Sequence, residues 1–334
     1  MSSENPQTQA WALLQAARIL ADQHAFARND CLSESTTNGD NGSCSFVFNL
    51  QSGAVDTLAG QIHDADLIHS PLEGWQYSNA LPQAARDMLD LYLPVLGTAT
   101  QTRVVIGHLG QSIDARIATL DGDAFFVTGE ENRRHLHRLR SLCHAVVVGA
   151  ATVSADDPQL TTRAVSGASP VRVIIDPQAR VSQDSRVLHD GEAPTWLLHA
   201  DTVALDSLPQ SDGYRRLAVR SMDGRLQPQD ILDVLAQNGL RRIFVEGGGV
   251  TVSRFFNARC LTRLQIATAP LLVGEGIASL QIPGAASMKL ALRPDFRLYR
   301  MGQDVMWDFE LSDEHWDSVS PQEPSNSTEL QRLL

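Results

Sequence analysis

The sequence predicts an α/β fold with a mostly parallel central sheet that is flanked by helices on both faces. Short apolar, β-branched runs recur between residues 101 and 312 and alternate with segments of helical spacing, which is typical of parallel sheets. Glycines and polar side chains follow several of these runs, as expected where strands end at a ligand site. The predicted strands are Val104–Ile106, Ala145–Val148, Val171–Ile175, Thr195–Leu198, Ile243–Val245, Leu264–Ala267 and Val305–Phe309.

The clearest candidate site is the run Glu246-Gly247-Gly248-Gly249, between the strand 242–245 and a helical segment, Val250–Asn257. Glycines let a ligand approach the backbone, and the amides and dipole of the following helix favour a pyrophosphate. A carboxylate beside an anion site costs free energy unless it serves another part of the ligand, so Glu246 needs its own explanation. The alternative is a tight strand-to-helix turn in which Glu246 caps the helix.

A second candidate segment follows the strand at Ala145–Val148. Gly149 keeps the strand end open, and Thr152 and Asp156 offer hydrogen-bonding groups, although both also fit an ordinary turn and helix cap. Arg163 presents a guanidinium suited to phosphate. Because the carboxyl ends of parallel strands share one edge, we expect Gly149, Glu246 and also Asp176, at the end of a third strand, to meet in one cleft.

Four blocks in order make this chain resemble the reductase domain of riboflavin biosynthesis. Residues 112–118, Ser-Ile-Asp-Ala-Arg-Ile-Ala, are similar to that family's Ser-Leu-Asp-Gly-Lys-Ile-Ala. The other three are the segment from Leu139-Arg140 to Gly149, the run Ala-Asp-Asp-Pro-Gln-Leu-Thr at 155–161, and Val-Glu-Gly-Gly at 245–248. The resemblance extends from about Arg103 to about Phe309.

The resemblance implies a dihydrofolate-reductase-like fold and a homodimer that reduces a ribosylaminopyrimidine phosphate with NADPH. It implies catalytic roles for Glu246, Asp114 and Arg116, and substrate contacts from Arg140, Leu160, Arg163 and Glu246. The implied cofactor contacts are Gly110, Phe126, Gly149, Thr152, Asp156, Asp176, Gly247, Gly248, Gly249 and Val250. The expected substrate is 5-amino-6-(5-phosphoribosylamino)uracil, whose ribose is opened to a ribityl chain. Without the resemblance, Arg140 would be taken for a residue of a solvated helix face.

Three departures from the family pattern leave other functions open. The family's Asp-Gly-Lys is Asp114-Ala115-Arg116 here, and a lysine usually found six residues before that Asp is His108. Arg116 keeps the positive charge of the family's lysine but cannot deprotonate, so it could still bind a ligand but could not act as an acid. The segment at Ala124-Phe125-Phe126 is also altered, although Phe126 could stack on a nicotinamide or pterin ring. The alternatives are a dihydropterin or dihydrofolate-type reductase and a non-catalytic nucleotide-binding paralogue.

Residues 1–100 fall outside the resemblance. They lack the His-x-Glu and Pro-Cys-x-x-Cys of the zinc deaminase that precedes the reductase in bifunctional relatives, so they are predicted to be an accessory region that is not a deaminase. Two helical stripes are predicted to pack on the reductase core, with a partner-docking module as the alternative. They are Leu13, Ala16, Ala17 and Leu20, and Leu81, Ala84, Ala85, Met88, Leu89 and Tyr92, with Pro82 in the second helix's first turn.

The rest of the chain adds smaller expectations. We predict a loop at Ser33–Ser45, a strand at Phe46–Phe48, a core at 101–312 and a disordered acidic tail at 313–334. Of 334 residues, 43% are hydrophobic, and the net charge of −12 comes from the two ends, which argues against nucleic-acid binding. Four scattered cysteines form no metal motif. No membrane span or signal peptide is expected, so the protein is expected in the cytoplasm.

Overall fold

The computed structural model describes residues 5–31, 46–48, 55–57, 67–70, 74–97, 103–125, 127–204 and 213–311. Its helices are α1 (Pro6–Cys31), α2 (Gln83–Leu96), α3 (Glu130–Leu142), α4 (Ala150–Asp156), α5 (Pro228–Gln237) and α6 (Gly249–Asn257). Its strands are β1 (Phe46–Phe48), β2 (Val55–Thr57), β3 (Leu67–Ser70), β4 (Gly74–Tyr77), β5 (Val104–Ser112), β6 (Arg116–Thr119), β7 (Ala145–Gly149), β8 (Val171–Ile175), β9 (Thr195–Ala200), β10 (Arg215–Val219), β11 (Ser221–Met222), β12 (Arg225–Leu226), β13 (Arg242–Glu246), β14 (Arg263–Ala269), β15 (Gly276–Ala278), β16 (Phe296–Met301) and β17 (Asp304–Glu310).

A nine-stranded sheet forms the centre of the fold, in the order β10-β9-β8-β7-β13-β5-β14-β17-β16. The seven strands from β10 to β14 are parallel, and β17 and β16 extend one edge in antiparallel pairing. The predicted fold class, a mostly parallel sheet flanked by helices, is therefore confirmed. Each of the seven predicted strands lies within an observed strand.

The sheet separates two hydrophobic clusters, and alternate residues of each strand enter different clusters. Val104 and Ile106 of β5 belong to the cluster covered by α1, α2 and α3, whereas Val105 belongs to the cluster covered by α5 and α6. Both faces of the sheet are thus buried, which explains why the central strands have nearly continuous apolar sequences.

The strands that the sequence did not reveal are short or exposed. β10 has the sequence Arg-Arg-Leu-Ala-Val and β16 has Phe-Arg-Leu-Tyr-Arg-Met, and only the last residue of each is buried. Edge strands bury little apolar surface, so they lack the hydrophobic pattern that identified the central strands. The alternation with helices is also incomplete, because β8 and β9 are joined without an α-helix.

The amino-terminal region packs into the same core as the sheet. Leu13, Leu14 and Ala17 of α1 and Leu89 and Tyr92 of α2 lie in one cluster with β5 and α3. β1 to β4 form a separate four-stranded sheet, which includes the predicted strand at Phe46–Phe48. The prediction that Pro82 lies in the first turn of α2 is wrong by one residue, because Pro82 is the N-cap. The predicted loop at Ser33–Ser45 and the tail at 313–334 lie outside the described residues.

A buried chain of hydrogen bonds joins α2 to the sheet. The Tyr92 hydroxyl lies 2.7 Å from Nδ1 of His135 on α3, and Nε2 of His135 lies 2.8 Å from Oε1 of Gln265 on β14. The amide of Gln265 donates to Asp308 on β17, which also accepts two hydrogen bonds from Arg263. Because Oε1 can only accept, His135 carries its proton on Nε2 and accepts from Tyr92. This chain therefore fixes one neutral tautomer of His135.

Charged side chains attach α1 to the sheet at the edge formed by the amino ends of the parallel strands. Asp22 accepts hydrogen bonds from Arg242, the first residue of β13, and from His144, which precedes β7. Together with the buried apolar face, this pairing makes α1 part of the core structure.

The integration of α1 can be tested by truncating one buried side chain. Leu14→Ala removes a fully buried leucine, and we expect it to lower the free energy of unfolding by about 2–5 kcal/mol. Ile19→Ala on the same helix is the control, because Ile19 is 48% exposed and should change stability by less than about 1 kcal/mol. Equal effects in urea denaturation, or a separate unfolding transition for α1, would contradict this integration.

Acid should destabilise the protein through its buried histidines. Burial lowers the pKa of His135 from 6.5 to about 3, so the folded state resists protonation that the unfolded chain accepts. Stability is therefore present above pH 6.5 and is lost as pH falls toward 3, by about 1.4 kcal/mol per pH unit for this group. We expect His135→Gln to flatten the fall in unfolding free energy measured by urea titration between pH 6.5 and 4.5. An unchanged slope would contradict this assignment.

Candidate active site

A cleft of about 340 Å³ lies at the carboxyl ends of β5, β7 and β13, beneath α3. Its volume falls in the range of small-molecule sites. Apolar contacts come from Leu109, Leu136, Val148 and Leu160, and polar groups come from His108, Asn132, Thr152, Asp156 and Glu246. Of the three residues that were expected to meet, Glu246 lines the cleft, and the end of β7 contributes Val148 instead of Gly149.

The three glycines after β13 have three different functions in the fold. Gly247 has φ of 148°, a conformation that side chains disfavour. A Cβ atom on Gly249 would lie 2.0 Å from the carbonyl oxygen of Ser279, so this glycine allows α6 to pack against the chain after β15. Gly248 has φ of −60° and ψ of 156°, and a Cβ there would meet only Thr152 Oγ1, at 3.8 Å. Gly248 is therefore the position where the missing side chain leaves open space in the cleft.

Thr152 links the turn between β7 and α4 to the turn between β13 and α6. Its hydroxyl accepts a hydrogen bond from the Gly248 amide at 3.4 Å, and it lines the cleft with Asp156 from the same short helix. Gly149 serves packing, because a Cβ there would lie 2.8 Å from Thr251 Oγ1 on α6. Gly110 lines the cleft and leaves room for Thr128.

Glu246 is held by an ion pair with Arg140. Nε of Arg140 donates to Glu246 Oε2 at 2.8 Å, Nη2 donates to Oε1, and Nη1 donates to the Thr161 carbonyl at 3.1 Å. Only 8% of Arg140 is exposed, so the interpretation as a solvated helix face is wrong. Glu246 also does not cap α6, because the N-cap is Gly248. Glu246 lines the cleft, and Arg140 stands behind it as the residue that orients it.

The chain between Leu160 and Arg163 forms the wall beside this ion pair. Leu160 lines the cleft with φ of 56°, which is uncommon for a residue other than glycine. Arg163 donates to the Thr161 hydroxyl at 2.7 Å, and its amide donates to Nδ1 of His137 at 3.1 Å. Burial and the nearby Arg140 and Arg163 lower the pKa of His137 to about 4. Arg163 is not among the residues that line the cleft, although its guanidinium lies near enough to Arg140 and Glu246 for both charges to act on its pKa, which burial lowers.

Asp114 and Arg116 are not among the residues that line the cleft. Asp114 accepts hydrogen bonds from the Ser112 hydroxyl and from the amides of Gly274 and Val273, which lower its pKa to about 2. Arg116 donates to the Gly274 carbonyl at 3.0 Å. Both side chains hold the turn after β5 against residues 273–274. Their neighbour Ile117 reaches the cleft instead.

Asp176 also stays outside the cleft lining. It is buried and accepts a hydrogen bond from the Val181 amide at 2.7 Å, which closes the turn after β8. Val250 is exposed on α6 and does not line the cleft. Phe126 lies outside the described residues, so its predicted cofactor contact stays a prediction.

His108 and Asn132 are two hydrogen-bonding residues of the cleft that the sequence did not place in the site. His108 lies on β5 and Asn132 on α3, and their side chains form a hydrogen bond of 3.0 Å. Burial lowers the pKa of His108 to about 4, so the ring is neutral near pH 7. Arg133, next on α3, also lines the cleft. The sequence did contain a signal for His108. Val104, Ile106 and His108 share one face of β5, so a polar residue stands where the pattern predicts an apolar one.

The model of the RibD C-terminal domain matches residues 103–306, most of the chain. The chain belongs to the RibD C-terminal domain family. The riboflavin biosynthesis protein RibD of Bacillus amyloliquefaciens is 32% identical over 232 residues, which are 67% of this chain and 61% of that protein. The 2,5-diamino-6-ribosylamino-4(3H)-pyrimidinone 5′-phosphate reductase of Methanothermobacter thermautotrophicus is 30% identical over 216 residues, 62% of this chain and 97% of that enzyme.

A solved structure supports the fold. Acinetobacter baumannii RibD, form 2, superposes with a TM-score of 0.57 at 18% identity and covers 92% of this chain and 100% of that one. At this identity the likeness shows the fold alone.

Neither a metal site nor a membrane span occurs within the described ranges. No group of three His, Cys, Asp or Glu side chains there could hold a metal ion. No helix there is long and apolar enough to cross a bilayer. Cys143 and Cys260 are buried free thiols, and burial raises the pKa of Cys143 to about 12.

Substitution of Gly248 tests whether the open space beside it receives a ligand. Gly248→Val fits the observed backbone angles, so the fold should survive while NADPH binding weakens by about tenfold to a hundredfold through loss of amide–phosphate contacts. Gly284→Val is the matched control, because a Cβ there has no neighbour within 4 Å. NADPH affinity from fluorescence titration, with melting temperature measured in parallel, decides the outcome. Parental affinity in Gly248→Val would show that the loop is only structural.

Proposed function

We propose that this protein reduces a phosphoribosylaminopyrimidine with NADPH, opening the ribose to a ribityl chain. The preferred substrate is 5-amino-6-(5-phosphoribosylamino)uracil. The observation that carries the proposal is the cleft that joins the open Gly248 position, at the amino end of α6, to the carboxylate of Glu246. Membership of the RibD C-terminal family and the reductase activity named for the archaeal relative support it.

The residues at the amino end of α6 fit a dinucleotide. The first amides of a helix lack intrahelical partners and carry positive partial charge, which suits a pyrophosphate. α6 begins at Gly249, and the open position at Gly248 lets an anion approach these amides. NADPH, when bound, supplies a hydride to C1′ of the sugar. NADPH in preference to NADH is part of the proposal.

Glu246 would act on the sugar. Opening the ribose breaks the bond between C1′ and the ring oxygen, which takes up a proton, and C1′ gains positive character before it is reduced. A carboxylate fixed beside C1′ stabilises that charge, and the bidentate bond to Arg140 fixes its orientation. Leu160 and Leu136 on the cleft walls would exclude water from the reacting carbon. No such role is proposed for Asp114 or Arg116, which serve the turn after β5.

Homodimer formation and a cytoplasmic location also belong to this proposal. Phe296 and Leu298 are exposed on the edge strand β16, where Phe296 packs beside Trp307 of β17. An exposed apolar edge strand is a surface that a second copy of the chain could cover. Light scattering on the purified protein would give the mass of the assembly.

The function is tested by following NADPH oxidation with three compounds in turn. We expect turnover of 5-amino-6-(5-phosphoribosylamino)uracil. Turnover of the 2,5-diamino-pyrimidinone substrate alone would reassign the substrate, and turnover of dihydropterin or dihydrofolate alone would favour the alternative reductase. NADPH binding without oxidation of any of these compounds would favour the non-catalytic paralogue.

Removal of the Glu246 charge should affect the chemical step. Glu246→Gln keeps the volume and should lower kcat by about tenfold to a thousandfold while leaving NADPH affinity nearly unchanged. Asp156→Asn, which removes another cleft carboxylate, is the comparison. If Glu246→Gln turned over like the parent, the carboxylate would have no part in ring opening.

We expect Arg163, which lies beside the Arg140–Glu246 pair, to bind the substrate phosphate. Arg163→Lys loses the guanidinium fork and should raise KM at a cost of about 1.5–3 kcal/mol, with kcat nearly unchanged. Arg134→Lys is the control, because Arg134 pairs with Glu130 on the exposed side of α3. Arg133→Lys should be measured beside them, since Arg133 lines the cleft. A KM effect in Arg133→Lys alone would transfer the phosphate contact to Arg133.

A further inference from the structure

His108 occupies a central place in the cleft that the proposed mechanism leaves unused. It is the register partner of Glu246 on β13 and of Gln265 on β14, so three polar side chains stand side by side on adjacent strands. His108 is only 4% exposed, yet it lines the cleft. Most buried polar atoms have a hydrogen-bond partner, in the protein, in ordered water or in a ligand.

One ring nitrogen of His108 is satisfied inside the protein. Nε2 lies 3.0 Å from Oδ1 of Asn132, and Nδ2 of Asn132 donates to the Thr128 hydroxyl at 2.9 Å. The amide of Asn132 is thereby oriented with its oxygen toward the histidine. An oxygen acceptor requires the proton on Nε2, so Nδ1 of the neutral ring carries a lone pair. Within the described part of the chain, no hydrogen bond is formed to Nδ1.

Glu246, the register partner of His108 on β13, is a second acceptor in the lining of the cleft. Adjacent strands lie about 4.8 Å apart, so the lone pair of His108 and the carboxylate of Glu246, which already accepts from Arg140, are two acceptors on neighbouring strands of the cleft. Two such acceptors repel a phosphate or a carbonyl oxygen and match a ligand with two neighbouring donors. Vicinal sugar hydroxyls have this arrangement.

We propose that His108 is a specificity-determining residue that accepts a hydrogen bond from the 2′-hydroxyl of the substrate ribose at Nδ1, beside Glu246. This inference rests on the proposed function, because the ribose belongs to the substrate named there. Asn132 is the positioning residue, because its oxygen selects the tautomer.

Two substitutions separate the two ring nitrogens. His108→Gln keeps a nitrogen near the place of Nε2 and can retain the bond to Asn132, but it has no acceptor at the place of Nδ1. His108→Asn keeps an oxygen near the place of Nδ1 and loses the bond to Asn132. Both side chains are no larger than histidine, and their melting temperatures report whether the fold is retained.

The test measures by calorimetry the dissociation constants of D-ribose 5-phosphate and 2-deoxy-D-ribose 5-phosphate, which differ only in the 2′-hydroxyl. The parent should prefer the ribose compound by about threefold to tenfold, the value of one hydrogen bond. His108→Gln should lose this preference and His108→Asn should keep part of it. Preservation of the full preference in His108→Gln would overturn the proposal. Equal affinity of the parent for the two probes, including no measurable binding of either, would overturn it as well.

A second readout is independent of affinity. Histidine ¹⁵N resonances distinguish a protonated ring nitrogen from one with a lone pair, and His108→Asn identifies the signal. We expect the Nε2–H tautomer in the free protein and a shift of the Nδ1 signal on addition of ribose 5-phosphate. A proton on Nδ1 would overturn the proposal. Neither readout requires turnover, so a parent that prefers ribose 5-phosphate but oxidises no NADPH would fail the proposed function alone.

Discussion

The compensated charge of Glu246 is the constraint on which the cleft depends. A carboxylate withdrawn from water at a strand end costs several kcal/mol unless a partner replaces the lost solvent. Arg140 supplies two hydrogen bonds to it and a third to the Thr161 carbonyl. One guanidinium therefore fixes the end of α3, the end of β13 and the wall around Leu160. Gly248 follows β13, and the His108 ring is bonded to Asn132 on α3, so both cleft positions adjoin elements that this guanidinium joins.

Much of the fold could be predicted because the central strands are buried on both faces. The strand Ala145–Gly149 shows the point most simply, since all but its last residue are buried and three of its five residues are valine. Such apolar, β-branched sequences leave few other structures open. The edge strands β10 and β16 bury only their last residues, so no comparable pattern marks them in the sequence.

The candidate site was predictable only in part, for a physical reason. Glu246 ends β13, and Gly248 and Thr152 come within three residues of the ends of β13 and β7, so the sequence places all three at the correct edge of the sheet. Asp114 and Asp176 have the same kind of sequence context, but backbone amides bind both carboxylates and keep them in turns. Nothing in sequence spacing distinguishes a carboxylate that binds a turn from one that faces a cleft. The bond between His108 and Asn132 joins β5 to α3, 24 residues away, and depends on how the helix packs.

The buried hydrogen bonds that connect Tyr92, His135, Gln265 and Asp308 all donate in one direction, which limits the substitutions that these positions can accept. Each member donates to the next, and the charge at the end is balanced by Arg263. An apolar replacement at His135 would leave the Tyr92 hydroxyl without an acceptor and Gln265 without a donor, both in the core. Single changes are therefore costly, whereas joint replacement by apolar groups can be nearly neutral. We therefore expect substitutions at Tyr92 on α2 to be accompanied by substitutions at His135 and Gln265, so that α2 and the central sheet change together in evolution.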